Sequence, residues 1–236
     1  MEPSLKPSPT IVASSSSSAP FGPQGSPTWH AARARCKTDL YFLARHVLGY
    51  RDIGTALHRD LCHRWERRTL KLFKLWLMPR GHLKTTLLTI SGNIQRILNN
   101  PGVRITLFFN TITNAMNKLR EMRAHFDKNR TFRYLFPEFC PPEGVRRVTG
   151  YRWTDHAFEV PNRPVRFAEP TVSAAAFEGA TVSAHVDHLH FDDVVDDLNS
   201  RTPDYRAKIK AQYLDSLQLR HDHSQSTIDL VGTVWH

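Results

Sequence analysis

The chain has 236 residues, 40% of them hydrophobic and 23% charged, with 32 Lys and Arg against 22 Asp and Glu for a formal net charge of +10. That length buries enough apolar surface to hold a core unaided, and Cys36, Cys62 and Cys140 show no C-x-x-C spacing, which excludes a disulfide-stapled miniprotein and a zinc ribbon. No apolar run approaches the ~20 residues that span a bilayer and the amino terminus lacks a signal-peptide layout, so the expectation is a soluble, non-secreted protein with no membrane partner.

Residues 1–28 hold eight Ser and six Pro with almost no large apolar side chains, and are expected to form a disordered tail. A helical segment is expected over 29–70. Its first helix carries Leu40, Phe42, Leu43, Val47 and Leu48 and stops at Gly49. Its second runs from about Thr55 to Arg68 with Leu57, Leu61, Cys62 and Trp65 on one face.

An α/β core is expected from 71 to 236. Leu72 to Met78 reads as a strand buried on both faces, followed by a Pro79-Arg80-Gly81 turn and a helix from about Lys84 to Leu98. A strand Val103 to Phe109 and a helix Thr113 to Asp127 follow, the latter with Met116, Leu119, Met122 and Phe126 on its core face. Strand, helix, strand, helix in this spacing predicts a right-handed parallel crossover. Between Arg130 and Val182 the pattern weakens to short strand candidates near Arg152, Phe158 and Val165, interrupted by Pro161, Pro164 and Pro170. A strand His188 to Phe191, a helix Pro203 to Leu219 and a strand Thr227 to Val231 complete the prediction.

The stretch Met78-Pro79-Arg80-Gly81-His82-Leu83-Lys84-Thr85-Thr86 lies between a predicted strand and a predicted helix, where helix-start N–H groups face whatever occupies the turn. In a loop of the G-x-x-x-x-G-K-[ST] type the Lys neutralises β and γ phosphate oxygens and the next hydroxyl ligates magnesium; Lys84 and Thr85 fall at those places. Met78 and Leu83 stand where that pattern has glycines, so a plain strand–turn–helix is the competing reading. About a hundred residues on, an apolar strand ends in Asp192-Asp193, the paired carboxylates a nucleotide hydrolase needs for its magnesium shell and its attacking water. The last strand ends in Gly232-Thr233, adding a hydroxyl near the same sheet edge.

The charge follows this division. Residues 29–80 carry 12 basic against 4 acidic side chains and residues 81–150 carry 11 against 4, whereas residues 151–200 carry 3 against 9. A polyanion partner and a cation-holding carboxylate cluster would account for that reversal, with a merely soluble basic surface as the competing reading. Thirteen histidines include His185, His188 and His190 beside the carboxylates; without a four-ligand spacing they are expected to be structural or exposed.

From about residue 37 onward the chain resembles the large subunit of phage terminases, the motors that pump viral DNA into capsids. The resemblance rests on Asp39-Leu40-Tyr41-Phe42-Leu43, His46-Val47-Leu48-Gly49-Tyr50, Leu57-His58 and Leu61-Cys62. It continues through the Pro-Arg-Gly-His-x-Lys-Thr-Thr turn, Arg104 to Asn117, Gly179-Ala180 leading to Asp192-Asp193, and Gly232-Thr233-Val234-Trp235-His236. It implies a P-loop NTPase-type, mostly parallel sheet flanked by helices, with ATP and Mg2+ as cofactors. Arg80, Gly81, His82, Leu83, Lys84, Thr85, Thr86 and Thr233 would contact nucleotide, and Thr85 and Asp192 would associate with magnesium. Arg80 resembles a loop arginine that contacts the γ-phosphate, which implies a catalytic role as an arginine finger. Asp193 stands where the family commonly has a catalytic Glu, and Gly232-Thr233 resembles its coupling motif. Adenine-side contacts would fall within Tyr50 to His58. Expected partners are double-stranded DNA, a portal protein, a terminase small subunit and further copies in a ring, in a bacterial host cytoplasm. With the chain stopping after Trp235-His236, no nuclease activity is expected. The alternatives are a nucleic-acid-binding module with a decayed ATP site, or a fragment of a full ATPase-nuclease.

Overall fold

The structure, a computed structural model, describes residues 20–67, 72–143, 150–178, 184–196 and 199–233. Helices α1 (Pro27–Thr38), α2 (Leu40–Phe42), which continues into a π-helical turn (Leu43–Val47), and α3 (Ala56–Glu66) precede strand β1 (Phe73–Leu77). A π-helical segment (Thr85–Ser91) then runs into α4 (Gly92–Asn99), followed by β2 (Ile105–Phe109), α5 (Ile112–Asp127), α6 (Arg130–Leu135), β3 (Ala157–Phe158), β4 (Val172–Ala176), β5 (His188–Asp192), α7 (Pro203–Ser216) and β6 (Thr227–Gly232). Side chains suited to N-caps start the helices: Ser26, Thr55, Thr111, Asn129 and Thr202 each accept from an amide three residues on.

The strands form one six-stranded sheet in the order β1-β6-β5-β2-β4-β3, parallel except for the short β3–β4 pair. Parallel pairing puts the carboxyl ends of β1, β6, β5 and β2 on one edge, where open α/β sheets bind ligands. The chain is therefore α/β, with a mostly parallel sheet flanked by helices.

Several expectations are corrected. Of the tail expected over 1–28, residues 1–19 lie outside the described residues, but residues 20–28 are ordered. Phe21 packs on Phe42, the Tyr134 hydroxyl donates to the Gly22 carbonyl, and α1 begins at Pro27 behind the Ser26 cap. The helices of the 29–70 segment bury Cys36, Leu43 and Trp65 in the same core as Leu87 and Val231 of the sheet unit. Leu57 is exposed and its expected place is taken by His58, which is buried because it closes a capping box with Thr55. In α5, Ala115 rather than Met116 joins Leu119, Met122 and Phe126 in the core.

Strand β1 is not buried on both faces. It is an edge strand whose Lys74 and Trp76 turn inward while Phe73, Leu75 and Leu77 are 48%, 59% and 52% exposed. The expected strand near Val165 is irregular backbone, and β4, which pairs with β2 in full register, replaces it as the strand of this region. All three cysteines are buried, and burial pushes each thiol up to about 12, which leaves them unreactive. Among the described residues, no helix is long and apolar enough to cross a membrane.

The site-bearing helix is seated by one glycine. A Cβ on Gly92 would lie 2.5 Å from Cζ2 of the fully buried Trp65, whose indole N–H donates to Gln95 Oε1 at 3.2 Å. Gly92→Ala is expected to destabilise the fold by about 1–3 kcal/mol in urea unfolding, although alanine is the better helix former by about 1 kcal/mol. A gain in stability would contradict this packing.

Candidate nucleotide site at the sheet edge

The turn after β1 departs from the glycine pattern in letters but not in backbone. Gly81 has φ 79° and Leu83, at the place of the second glycine, has φ 53°. An L residue pays for that left-handed conformation, of the order of 1–2 kcal/mol, so the surroundings impose it. Leu83 is held by packing against the core cluster, and its carbonyl accepts from Leu87 N at 2.9 Å in the first turn of the helix. The turn stays in line with the sheet through Met78 N, which donates to the Gly232 carbonyl at 3.1 Å.

Lys84 opens the helix and is buried, with its Nζ 2.8 Å from Asp193 Oδ2. Asp193 also has positive φ, 45°, and its Oδ1 accepts from the Thr233 hydroxyl at 3.1 Å. Its backbone N–H donates to the Val231 carbonyl at 3.0 Å, so the β5–β6 ladder fixes where the bend occurs. Three strand ends thus deliver Lys84, Asp193 and Thr233 to one point.

Asp192 is fully buried at the end of β5. Its Oδ2 accepts from Thr89 Oγ1 at 2.6 Å, and its Oδ1 is buried with no hydrogen-bond partner among the described residues. Burial pushes its carboxyl up to about 6. The Thr89 hydrogen bond, the nearby Thr85 hydroxyl and Lys84 work against that rise, and neighbouring Asp193 adds to it. An orphaned carboxylate oxygen beside a helix-start threonine is the donor set a hydrated magnesium ion takes, so these residues fit that cation.

A cleft of about 380 Å³ opens beside this cluster, lined by Arg80, Thr85 and Asp193 together with Asn110, Asn114, Lys118 and Asp196. Asn110 is the first residue past β2. Its Nδ2 donates to Asp196 Oδ2 at 3.1 Å, and its Oδ1 accepts from Asn114 Nδ2 at 2.8 Å. Sequence reading missed this asparagine–aspartate wall, although Asn110 carried the same signal as Asp192, a polar residue at the end of a buried strand. Of the remaining loop residues, His82 bonds the Arg80 carbonyl at 2.9 Å through Nδ1, and Thr86 lies on the first helical turn, its carbonyl accepting from Ser91. Burial pushes His58 down, opposed by a hydrogen bond to the backbone of His82, which brings the start of α3 against the loop.

His188, His190 and Asp229 are all buried with ligand-capable atoms within 4.8 Å of one another. They already enclose a cation: the Arg96 guanidinium bonds Asp229 Oδ2, and Trp76 Nε1 donates to Oδ1 at 3.1 Å. Burial raises Asp229, yet Arg96, His190 and Trp76 hold it below the usual carboxylate range. The cluster is a buried ion pair with histidine neighbours.

Fold and site define a class: an α/β protein with a strand–turn–helix facing paired carboxylates at the carboxyl edge of a mostly parallel sheet. No protein-family model matches the chain, and no curated protein matches it.

Proposed function

We propose that the chain is a P-loop-type, magnesium-dependent ATPase, the motor domain of a phage terminase large subunit that drives double-stranded DNA into a procapsid. The observation that carries this reading is the convergence of Lys84, Thr85, Asp192, Asp193 and Thr233 from three strand ends, with Leu83 taking the backbone conformation a glycine would supply.

The helix start and Lys84 bind phosphate oxygens, and Arg80 on the cleft wall reaches the terminal one. Asp192 and Thr85 would hold magnesium, which would neutralise charge developing on the transferring phosphate. Asp193 orients the attacking water and accepts its proton, in line with the leaving oxygen. Lys84 and Asp193 pair at 2.8 Å, so a phosphate entering the site would exchange one anionic partner of Lys84 for another and release the Asp193 carboxylate for the water. Thr233 stays bonded to Asp193 and so reports its state to β6.

The excess of basic side chains over 29–150 supports a polyanion partner, and DNA, portal, small subunit and a ring of further copies are the partners proposed, in a bacterial cytoplasm. Phosphate release by the chain with magnesium is expected to rise when double-stranded DNA and the portal and small-subunit partners are added. No release above an Asp192→Asn control under those conditions would refute the motor.

A further inference from the structure

Two buried polar side chains have no part in the chemistry above. Thr89 lies one turn beyond Thr85 on the site-bearing helix, and His190 lies two residues before Asp192 on β5, so the spacing of each element turns both toward the same carboxylate. Both are fully buried. The Thr89 hydroxyl oxygen is 2.6 Å from Asp192 Oδ2 and 2.8 Å from His190 Nε2.

A hydroxyl has one proton to donate. If Thr89 gave it to the imidazole, a carboxylate oxygen would face a bare hydroxyl lone pair in a site closed to water, at the cost of an unsatisfied buried anion. The proton therefore goes to Asp192, and the Thr89 oxygen must accept. The nitrogen facing it, His190 Nε2, must then carry hydrogen. The other ring nitrogen, Nδ1, has no hydrogen-bond partner among the described residues. A bare acceptor is the cheaper group to leave unmet there.

We infer that Thr89 and His190 are positioning residues that form a relay, His190 Nε2–H to Thr89 Oγ1–H to Asp192 Oδ2, which fixes the Asp192 carboxylate so that Oδ1 is presented to magnesium. This rests on the ATPase reading for its cation. The relay itself uses only the chain's own side chains. It gives a reason for an imidazole in the middle of a buried strand, and it ties the helix that binds phosphate to the strand that holds the metal.

The test uses the full chain and a non-hydrolysable ATP analogue, titrated with magnesium and again with EDTA. Thr89→Val is expected to weaken binding about tenfold in magnesium and to leave the EDTA affinity unchanged, the size of one lost hydrogen bond to a charged group. Thr89→Ser restores the magnesium affinity. His190→Gln, whose amide N–H reaches the place of Nε2–H, retains it, whereas His190→Phe loses it. An unchanged magnesium-to-EDTA ratio in Thr89→Val overturns the inference. Independently of nucleotide, the 15N histidine spectrum is expected to show His190 protonated at Nε2. The opposite tautomer overturns the relay whatever the chain binds. A wild-type chain that binds no analogue while showing the expected tautomer overturns the ATPase reading, and with it the magnesium role.

Discussion

If the chain is the proposed ATPase, Asp193→Asn is expected to slow ATP turnover by roughly 10²–10⁴-fold while leaving nucleotide affinity equal to or above that of the wild type. Turnover falls because the side chain can no longer accept a proton from the attacking water. Affinity holds because the carboxylate 2.8 Å from Lys84 is a competitor of the phosphates for that cation, and the amide is a weaker one. The substitution suits the backbone: asparagine tolerates the φ of 45° better than most residues, and its carbonyl oxygen can still accept from Thr233. Steady-state hydrolysis and equilibrium titration measure the two effects separately. A loss of affinity parallel to the loss of turnover would mean that Asp193 positions the loop instead.

Lys84→Ala acts the other way round. Nucleotide affinity is expected to drop by about 10²-fold or more, and hydrolysis to vanish with it, because a buried, charge-assisted contact to phosphate typically contributes about 2–5 kcal/mol. Loss of fold is not the cause. The partner left behind, Asp193, has a side chain 41% exposed and keeps its Thr233 hydrogen bond, so water meets its charge at little cost. Thermal denaturation without nucleotide should therefore place the variant close to the wild type, and only the wild type should gain stability when Mg-ATP is added.

Much of this site was legible because its chemistry sits at element ends. A lysine-threonine pair at a helix start, paired aspartates after an apolar strand and a Gly-Thr after another are local signals, and parallel pairing brings such ends together. The exposure of β1 was not legible. Leu72 to Met78 reads the same whether one face or both are covered, and only the sheet order reveals that β1 lies at the edge. Strand β4 escaped notice because Val172-Ser173-Ala174-Ala175-Ala176 is small and lacks an apolar run; it is placed by pairing in register with β2 and by the packing of α5 against it. Leu83 looked like a fault in the motif because a letter pattern records glycine, whereas the loop requires a positive φ that packing can also impose. Thr89 carried no local signal, and the place of His190 beside the carboxylates did not reveal its partner, since the contact between them spans about a hundred residues of chain.

The most direct measurement is a crystal structure of the chain with magnesium and a non-hydrolysable ATP analogue. The expected result is a γ-phosphate against Lys84, the Lys84–Asp193 pair opened, and magnesium between Thr85 and Asp192. An analogue bound elsewhere, or a Lys84–Asp193 pair that stays closed with the analogue at saturation, would contradict a phosphate-binding role for this loop.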